Sequence, residues 1–225
     1  MAFLNTILNI VFPIKCISCG ENGTNLCIKC LSSFPEAERE SATWIYPLYD
    51  YRHPPVKKSI WLLKYKGKKE FAKIFAENMY GRIIEEIADL RVMNNFQNPI
   101  LIPIPLSRKR NNERGYNQAL LICNNLIKID NQNAHLRHGV DVHFILEKNI
   151  LIKTKDMEHQ AQIENRQKRI KNIIGSFAVK NKDIIKNRNI ILIDDVTTTG
   201  ATLNEAKKVL REAGAKKIIA FTIAH

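Results

Sequence analysis

The stretch from Asn189 to Ala224 constrains the fold of this chain more than any other. It runs through an apolar segment IILI at 190–193, the paired acids Asp194 and Asp195, a loop of Thr197, Thr198, Thr199, Gly200, Ala201 and Thr202, the segment LNEAKKVLREAG, and a second apolar segment KIIAFTIA at 217–224. Within the middle segment Leu203, Ala206, Val209, Leu210 and Ala213 fall on one face at helical period, and Gly214 stands where a left-handed residue closes a helix. Strand, helix and strand in about 35 residues predict one parallel crossover unit, because parallel neighbours need a connection long enough to return along the sheet. Two further apolar runs, ILIPI at 100–104 and HFIL at 143–146, precede it and alternate with helical periods. The expectation is an α/β fold, a central mostly parallel sheet flanked by helices.

The chain has 225 residues, 45% of them hydrophobic, which suits one sizeable core and a small appendage. A division into residues 1–40 and 41–225 is expected, at the polar stretch Pro35 to Ser41. The opening MAFLNTILNIVF lacks a positive leading region and a small-residue cleavage site, so it does not read as a secretory signal. It also falls short of the roughly 20 apolar residues that cross a bilayer. Phe3, Leu4, Ile7, Leu8 and Val11 instead fit one face of an amphipathic helix, and a cytoplasmic protein is expected. The aromatic run IYPLYDY from Ile45 is β-prone, and a long helix is expected from about Lys69 to Leu90, with Phe71, Phe75, Met79, Ile83 and Ile87 as its core-facing stripe.

Chemistry concentrates at the turn after IILI. Open α/β sheets place ligands beyond the carboxyl ends of their strands, where Asp194 and Asp195 stand. The loop that follows offers hydroxyls, backbone N–H groups and the positive end of a helix, all suited to a phosphate. Gly200 permits close backbone approach. Acids beside a phosphate cradle repel a bare anion, so the ligand must also present hydroxyls or a metal ion, and a sugar phosphate meets both demands. The plain alternative is a Thr-capped turn with two surface acids, which needs far fewer hydroxyls than stand here.

Near the start, Cys16, Cys19, Cys27 and Cys30 follow C-x2-C-x7-C-x2-C. Two knuckles of this kind close a tetrahedral Zn2+ site with no open position for water, hence structural rather than catalytic. Two disulfides are the alternative, and a reducing compartment disfavours them. Cys123 lies in an apolar helical period and reads as core. His135, His138 and His143 with Asp141 lack regular ligand spacing, and His53, His159 and His225 carry no pattern. Lys and Arg outnumber Asp and Glu by 35 to 22, a net charge of +13 that favours a polyanionic partner, although a Lys-, Asn- and Ile-rich chain also reads as AT-rich coding with a solvated surface.

The segment 189–203 closely resembles the motif by which type I phosphoribosyltransferases bind 5-phosphoribosyl 1-pyrophosphate (PRPP). That resemblance implies that Asp194 and Asp195 hold the ribose hydroxyls and that Thr197 through Thr202 hold the 5-phosphate. Over almost the whole length the chain resembles the ComF family of competence-associated, phosphoribosyltransferase-like proteins. YDYRHPPVKKSIWLLKYKG at 49–67, IPIPLSRKRNNERGYNQA at 102–119, HQAQIENRQKRIKNIIGSF at 159–177 and the cysteines carry that likeness. It implies a type I phosphoribosyltransferase fold behind a small zinc module, with Mg2+ accompanying PRPP.

The second of these segments is expected as a strand ending at Pro103 and Pro105, then a loop with Arg108, Lys109, Arg110 and Arg114, then Gly115 and a helix with Asn117 and Gln118 in its first turn. The resemblance implies that Arg108 and Arg114 face the pyrophosphate, with Asn117 and Gln118 beside the ligand. In the third segment Gln160, Arg166, Lys168, Arg169 and Asn172 read as a cover over the ligand. Here the chain departs from the family pattern: Lys153 and Lys155 stand for Arg, Met157 stands for Thr, and one residue is inserted between Gln160 and Arg169. Lys does not reproduce the bidentate fork of Arg.

Two function classes follow. One is a transferase that moves the phosphoribosyl group to a nitrogen nucleophile with loss of pyrophosphate. The other, implied by the ComF resemblance, is a single-stranded DNA-binding factor in DNA uptake, with a helicase partner and PRPP as ligand rather than substrate. For the latter, Trp61 and Tyr65 interleave with Lys64, Lys66, Lys68 and Lys69 as aromatic and basic residues do in single-strand binders. A PRPP-sensing regulator, binding without turnover, is the third reading.

Overall fold

The computed structural model describes residues 13–38, 42–133, 143–154 and 173–225. The expected amphipathic helix of the first residues, the cover residues Gln160, Arg166, Lys168, Arg169 and Asn172, and Lys155, Met157, His135, His138, Asp141 and His159 lie outside them.

Among the described residues five parallel strands form the central sheet: β1 (Ile45–Tyr49), β2 (Ile100–Pro103), β3 (Ile145–Leu146), β6 (Asn189–Val196) and β7 (Lys217–Ala224), in the order β1-β7-β6-β2-β3. Register pairs Ile190 with both Ile100 and Ile218, so β6 lies between β2 and β7. A separate antiparallel ribbon joins β4 (Leu151–Lys153) to β5 (Phe177–Val179). The strand at HFIL is shorter than expected, and the ribbon has no counterpart in the sequence reading, because two runs of three residues carry almost no periodicity.

Alternation along β6 and β7 decides the layers. Ile191, Ile193, Ile219, Phe221 and Ile223 face one core, while Ile190, Leu192, Ile218 and Ala220 face the other. Both faces are covered, which is why these strands read as continuous apolar runs. On the first face pack α2 (Pro54–Tyr65), α3 (Glu70–Asn94) and α5 (Gln118–Gln132). The predicted stripe Phe71, Phe75, Met79, Ile83 and Ile87 of α3 is wholly buried there, each side chain contributing roughly 2 kcal/mol of transfer free energy. α3 runs a turn past Leu90 and closes on Asn95 in the left-handed region. On the second face α6 (Ala201–Glu212) buries Leu203, Ala206 and Leu210 and ends before left-handed Gly214. Cys123 is buried in α5, as its apolar setting predicts.

The basic segment after β2 is not a loop. Arg108–Arg114 forms a short helix, α4, because Ser107 caps its start by accepting from the Arg110 N–H and Gly115, at φ 73°, ends it. Asn117 caps α5 from outside its first turn, accepting from the Leu120 N–H, and its Nδ2 donates to the Ile104 carbonyl at 2.9 Å.

The cysteine segment folds against the first core. Lys15 and Asn22 pair as an antiparallel bridge, Gly20 turns the chain at φ 80°, and α1 (Ile28–Ser32) follows. Leu26, Leu31 and Phe34 join the same apolar cluster as α3, and Phe34 meets Tyr49 edge-on at 5.9 Å.

Candidate functional site

β6 carries Asp194 and Asp195 to the carboxyl edge of the sheet, and the chain then turns into α6 through Thr197–Gly200. A cavity of about 390 Å³ opens there, lined by Asp194, Val196, the whole run Thr197 through Leu203, and by Tyr51, Lys64 and Ile173. The first four N–H groups of an α-helix have no partner within it. At α6 the Ala201 N–H is taken by Thr199 Oγ1 at 3.4 Å. Gly200 sits at φ 67°, and a Cβ there would stand 3.3 Å from both Asn204 Nδ2 and Ile45 Cδ1. The turn therefore requires glycine for its conformation, and any side chain would crowd α6 and β1.

Neighbouring strands brace this turn. The Thr197 N–H donates to the Ala224 carbonyl at 3.0 Å, and His225 Nε2 donates to the Thr198 carbonyl at 3.0 Å. The backbone of His225 is itself held between Tyr49 and Tyr51. Glu205, buried on α6, accepts from the Gly175 N–H at 2.7 Å and ties the helix to the chain entering β5.

The two acids differ. Asp194 Oδ1 accepts from the Asp195 N–H at 2.8 Å. Desolvation, and next the neighbouring Asp195 carboxylate, push the Asp194 carboxyl up to about 7, against the lowering pull of the Asp195 N–H and then of Lys64 and Lys153. Asp195 Oδ1 instead receives Lys64 Nζ at 2.7 Å, with only 17% of the lysine and 12% of the aspartate side chain exposed. Lys64 thus turns inward, away from the surface role expected of it. Its spacing was the available signal: it stands four residues after buried Ile60, on the same row of α2. Tyr51 and Ile173, by contrast, had no sequence signal as cavity residues.

The segments after β2 and β6 leave the same edge of the sheet, since Pro103 pairs with Ile193. Arg114 Nη1 donates to buried Gln118 Oε1 at 2.9 Å, and its guanidinium lies 5.2 Å from the Tyr65 ring. Arg108 is exposed on α4, and neither arginine is among the cavity's lining residues. Thr197 through Thr202 and Asp194 therefore line one cavity, and Asp195, buried and not among its lining residues, meets it through Lys64, while Asn117 and Gln118 serve α5 and Arg114.

At the far end of the chain, the Sγ atoms of Cys16, Cys19, Cys27 and Cys30 lie within 4.8 Å of one another, with Cys19 and Cys27 3.6 Å apart. A tetrahedron with metal–sulfur bonds of about 2.3 Å has sulfurs roughly 3.8 Å apart, so the cluster fits a four-thiolate metal. The cysteines are not disulfide-bonded. Burial works to raise the Cys16 thiol, but the N–H groups of Cys19, Cys27 and Ser18 outweigh it and bring it down to about 6. On α2, Trp61 and Tyr65 are exposed with ring centroids 6.4 Å apart, and Lys66 lies over Trp61 at 5.2 Å. Among the described residues no helix is long and apolar enough to cross a membrane.

Residues 146–225 match the family described as phosphoribosyl transferase domain. Competence protein F of Haemophilus influenzae is 33% identical over 55% of this chain and 49% of its own length. Competence protein ComFC of Bacillus subtilis is 30% identical over 75% of this chain and 59% of its own. The DNA utilization protein YhgH of Shigella flexneri is 25% identical over 90% and 80%. The chain thus spans between 49% and 59% of the length of the first two. A hypoxanthine phosphoribosyltransferase from Staphylococcus aureus overlaps 68% of this chain and 62% of its own at 13% identity, with a TM-score of 0.35. By the family match and the competence-protein relatives, its parallel sheet and its four-cysteine cluster, the chain is a relative of the ComF-type competence proteins built on a phosphoribosyltransferase fold.

Proposed function

We propose that this protein binds PRPP with Mg2+ at the β6–α6 turn and transfers its phosphoribosyl group to a nitrogen nucleophile. The observation that carries the reading is the cavity itself, in which one continuous loop, Thr197 through Thr202, lines the wall beside Asp194. In this reading the hydroxyls of that loop and its N–H groups other than those of Thr197 and Ala201 donate to the 5-phosphate, and Asp194 and Asp195 accept from the ribose hydroxyls. Holding the ribose at both ends fixes its reacting carbon, and positioning of this kind supplies much of such a reaction's rate. Mg2+ carried with PRPP would supply neutralising charge at its pyrophosphate end. Arg108 and Arg114, carried beyond β2 at the same edge, add cationic stabilisation, with Gln118 and Asn117 supporting that side. Cys16, Cys19, Cys27 and Cys30 hold Zn2+ as a structural module of residues 1–40, and residues 41–225 form the phosphoribosyltransferase-like domain of a cytoplasmic protein.

A second reading is favoured by the exposed pair Trp61 and Tyr65 with Lys66 and Arg114 over their rings. Aromatic faces interleaved with cations stack successive bases, so the protein would bind single-stranded DNA, in DNA uptake beside a helicase, with PRPP as ligand. A PRPP-dependent pyrophosphate-release screen over nucleobases and amines, run beside single-stranded DNA binding with and without PRPP, separates the two. Release with any acceptor supports the transferase. PRPP binding without turnover across the panel counts against it.

A further inference from the structure

We propose that Lys64 is the built-in counter-cation of the Asp194–Asp195 pair, so that a ribose phosphate monoester enters the Thr197–Thr202 cradle without a divalent cation. The inference rests on the cradle reading above and addresses its electrostatic difficulty. A phosphate beside two carboxylates meets repulsion unless a positive charge stands among them. Lys64 Nζ stands 2.7 Å from Asp195 Oδ1 and lines the same cavity as the Thr/Gly loop. With side-chain exposures of 17% and 12% the pair is largely withdrawn from water, so salt screens it less than a surface pair.

The lysine is also fixed in place rather than recruited. Val56, Ile60 and Leu63 root α2 in the core, and the Tyr116 hydroxyl donates to the Leu63 carbonyl beside it. An ammonium has three donors and a carboxylate about four acceptor sites. The contact with Asp195 uses one of each, and Lys64, which lines the cavity, keeps donors for a ligand oxygen. Asp194 keeps Oδ1 on the Asp195 N–H and is itself a lining residue of the cavity. A divalent cation is then required by the pyrophosphate of PRPP and not by its ribose 5-phosphate portion.

The test is calorimetric titration of the full chain with ribose 5-phosphate in magnesium-free buffer and again with Mg2+. Wild type should bind in both, with affinities within about 3-fold. Lys64→Met should bind about 10-fold or more weakly without Mg2+ and recover when it is added, because removing one partner leaves a buried charge uncompensated. Lys64→Arg, which keeps the charge, should retain magnesium-free binding and excludes misfolding as the cause. Lys64→Met binding as wild type does without Mg2+, or wild type binding only with Mg2+, overturns the proposal. Thr199→Glu separates this from the cradle reading. If that variant still binds ribose 5-phosphate, the cradle is misplaced, whereas a magnesium requirement that switches on with Lys64→Met still supports the counter-cation. A wild type that binds in neither buffer ends both.

Discussion

Asp194 should make the protein less stable as pH rises toward neutrality, and Asp194→Asn should remove that effect. Its carboxyl is raised from 3.8 to about 7, first by desolvation and second by Asp195. A group whose folded-state pKa lies above its unfolded value contributes stability that is present in full below the unfolded value and is lost as pH climbs through the folded one. The window here runs from 3.8 to about 7. A rise of roughly 3 units sets an upper limit of about 4 kcal/mol. The side chain lines an open cavity, and solvent screening there brings the expectation nearer about 2 kcal/mol. Asparagine is isosteric and keeps the Oδ1 that accepts from the Asp195 N–H, so little else changes. For a chain of this size that corresponds to a gain of roughly 4–8 °C in Tm near pH 8, and to little near pH 4, where the folded carboxyl is neutral and the unfolded one only about half ionised. Thermal unfolding of wild type and Asp194→Asn across this range, in magnesium-free buffer without PRPP, reads it directly. An equal Tm difference at both ends would refute the argument, since it would show that the charge of Asp194 is not what the fold resists.

Metal analysis of the reduced protein should find about one zinc per chain, and Cys19→Ser should lower that content, because four thiolates close one tetrahedral site; metal-free reduced protein would contradict it. Thr199→Glu should weaken PRPP binding by at least about 10-fold by placing a carboxylate in the cradle. It is a cleaner probe than Gly200→Val, which also strains a backbone at φ 67° and so lowers stability together with binding. If the DNA reading holds, Lys66→Ala with Lys68→Ala should flatten the salt dependence of single-stranded DNA binding by roughly one to two units while PRPP affinity stays unchanged. Wild type binding single-stranded DNA no better than an unrelated protein of equal charge would remove that reading.

The features legible in the amino-acid order are those whose determinants are contiguous. The crossover unit at 190–224, the buried stripe of α3 and the cysteine spacing each depend on residues within a few turns or strands, where backbone period alone sets which side chains share a face. The acids followed by a Thr/Gly turn belong here too, because strand end, turn and helix start are consecutive. The helix Arg108–Arg114 was legible in principle from Ser107 and Gly115, but its charge density read more readily as loop. Tertiary packing decided the rest. Strand order placed β7 between β1 and β6, which no local pattern specifies. Burial of Ile60 and Leu63 turned Lys64 toward Asp195, although the same residue, judged by its lysine-rich neighbours, belongs on the surface. Arg114 found Tyr65 and Gln118 instead of open solvent. Each of these outcomes depends on which apolar faces meet, and a charged side chain between two of them goes where the packed helices leave a partner for its charge.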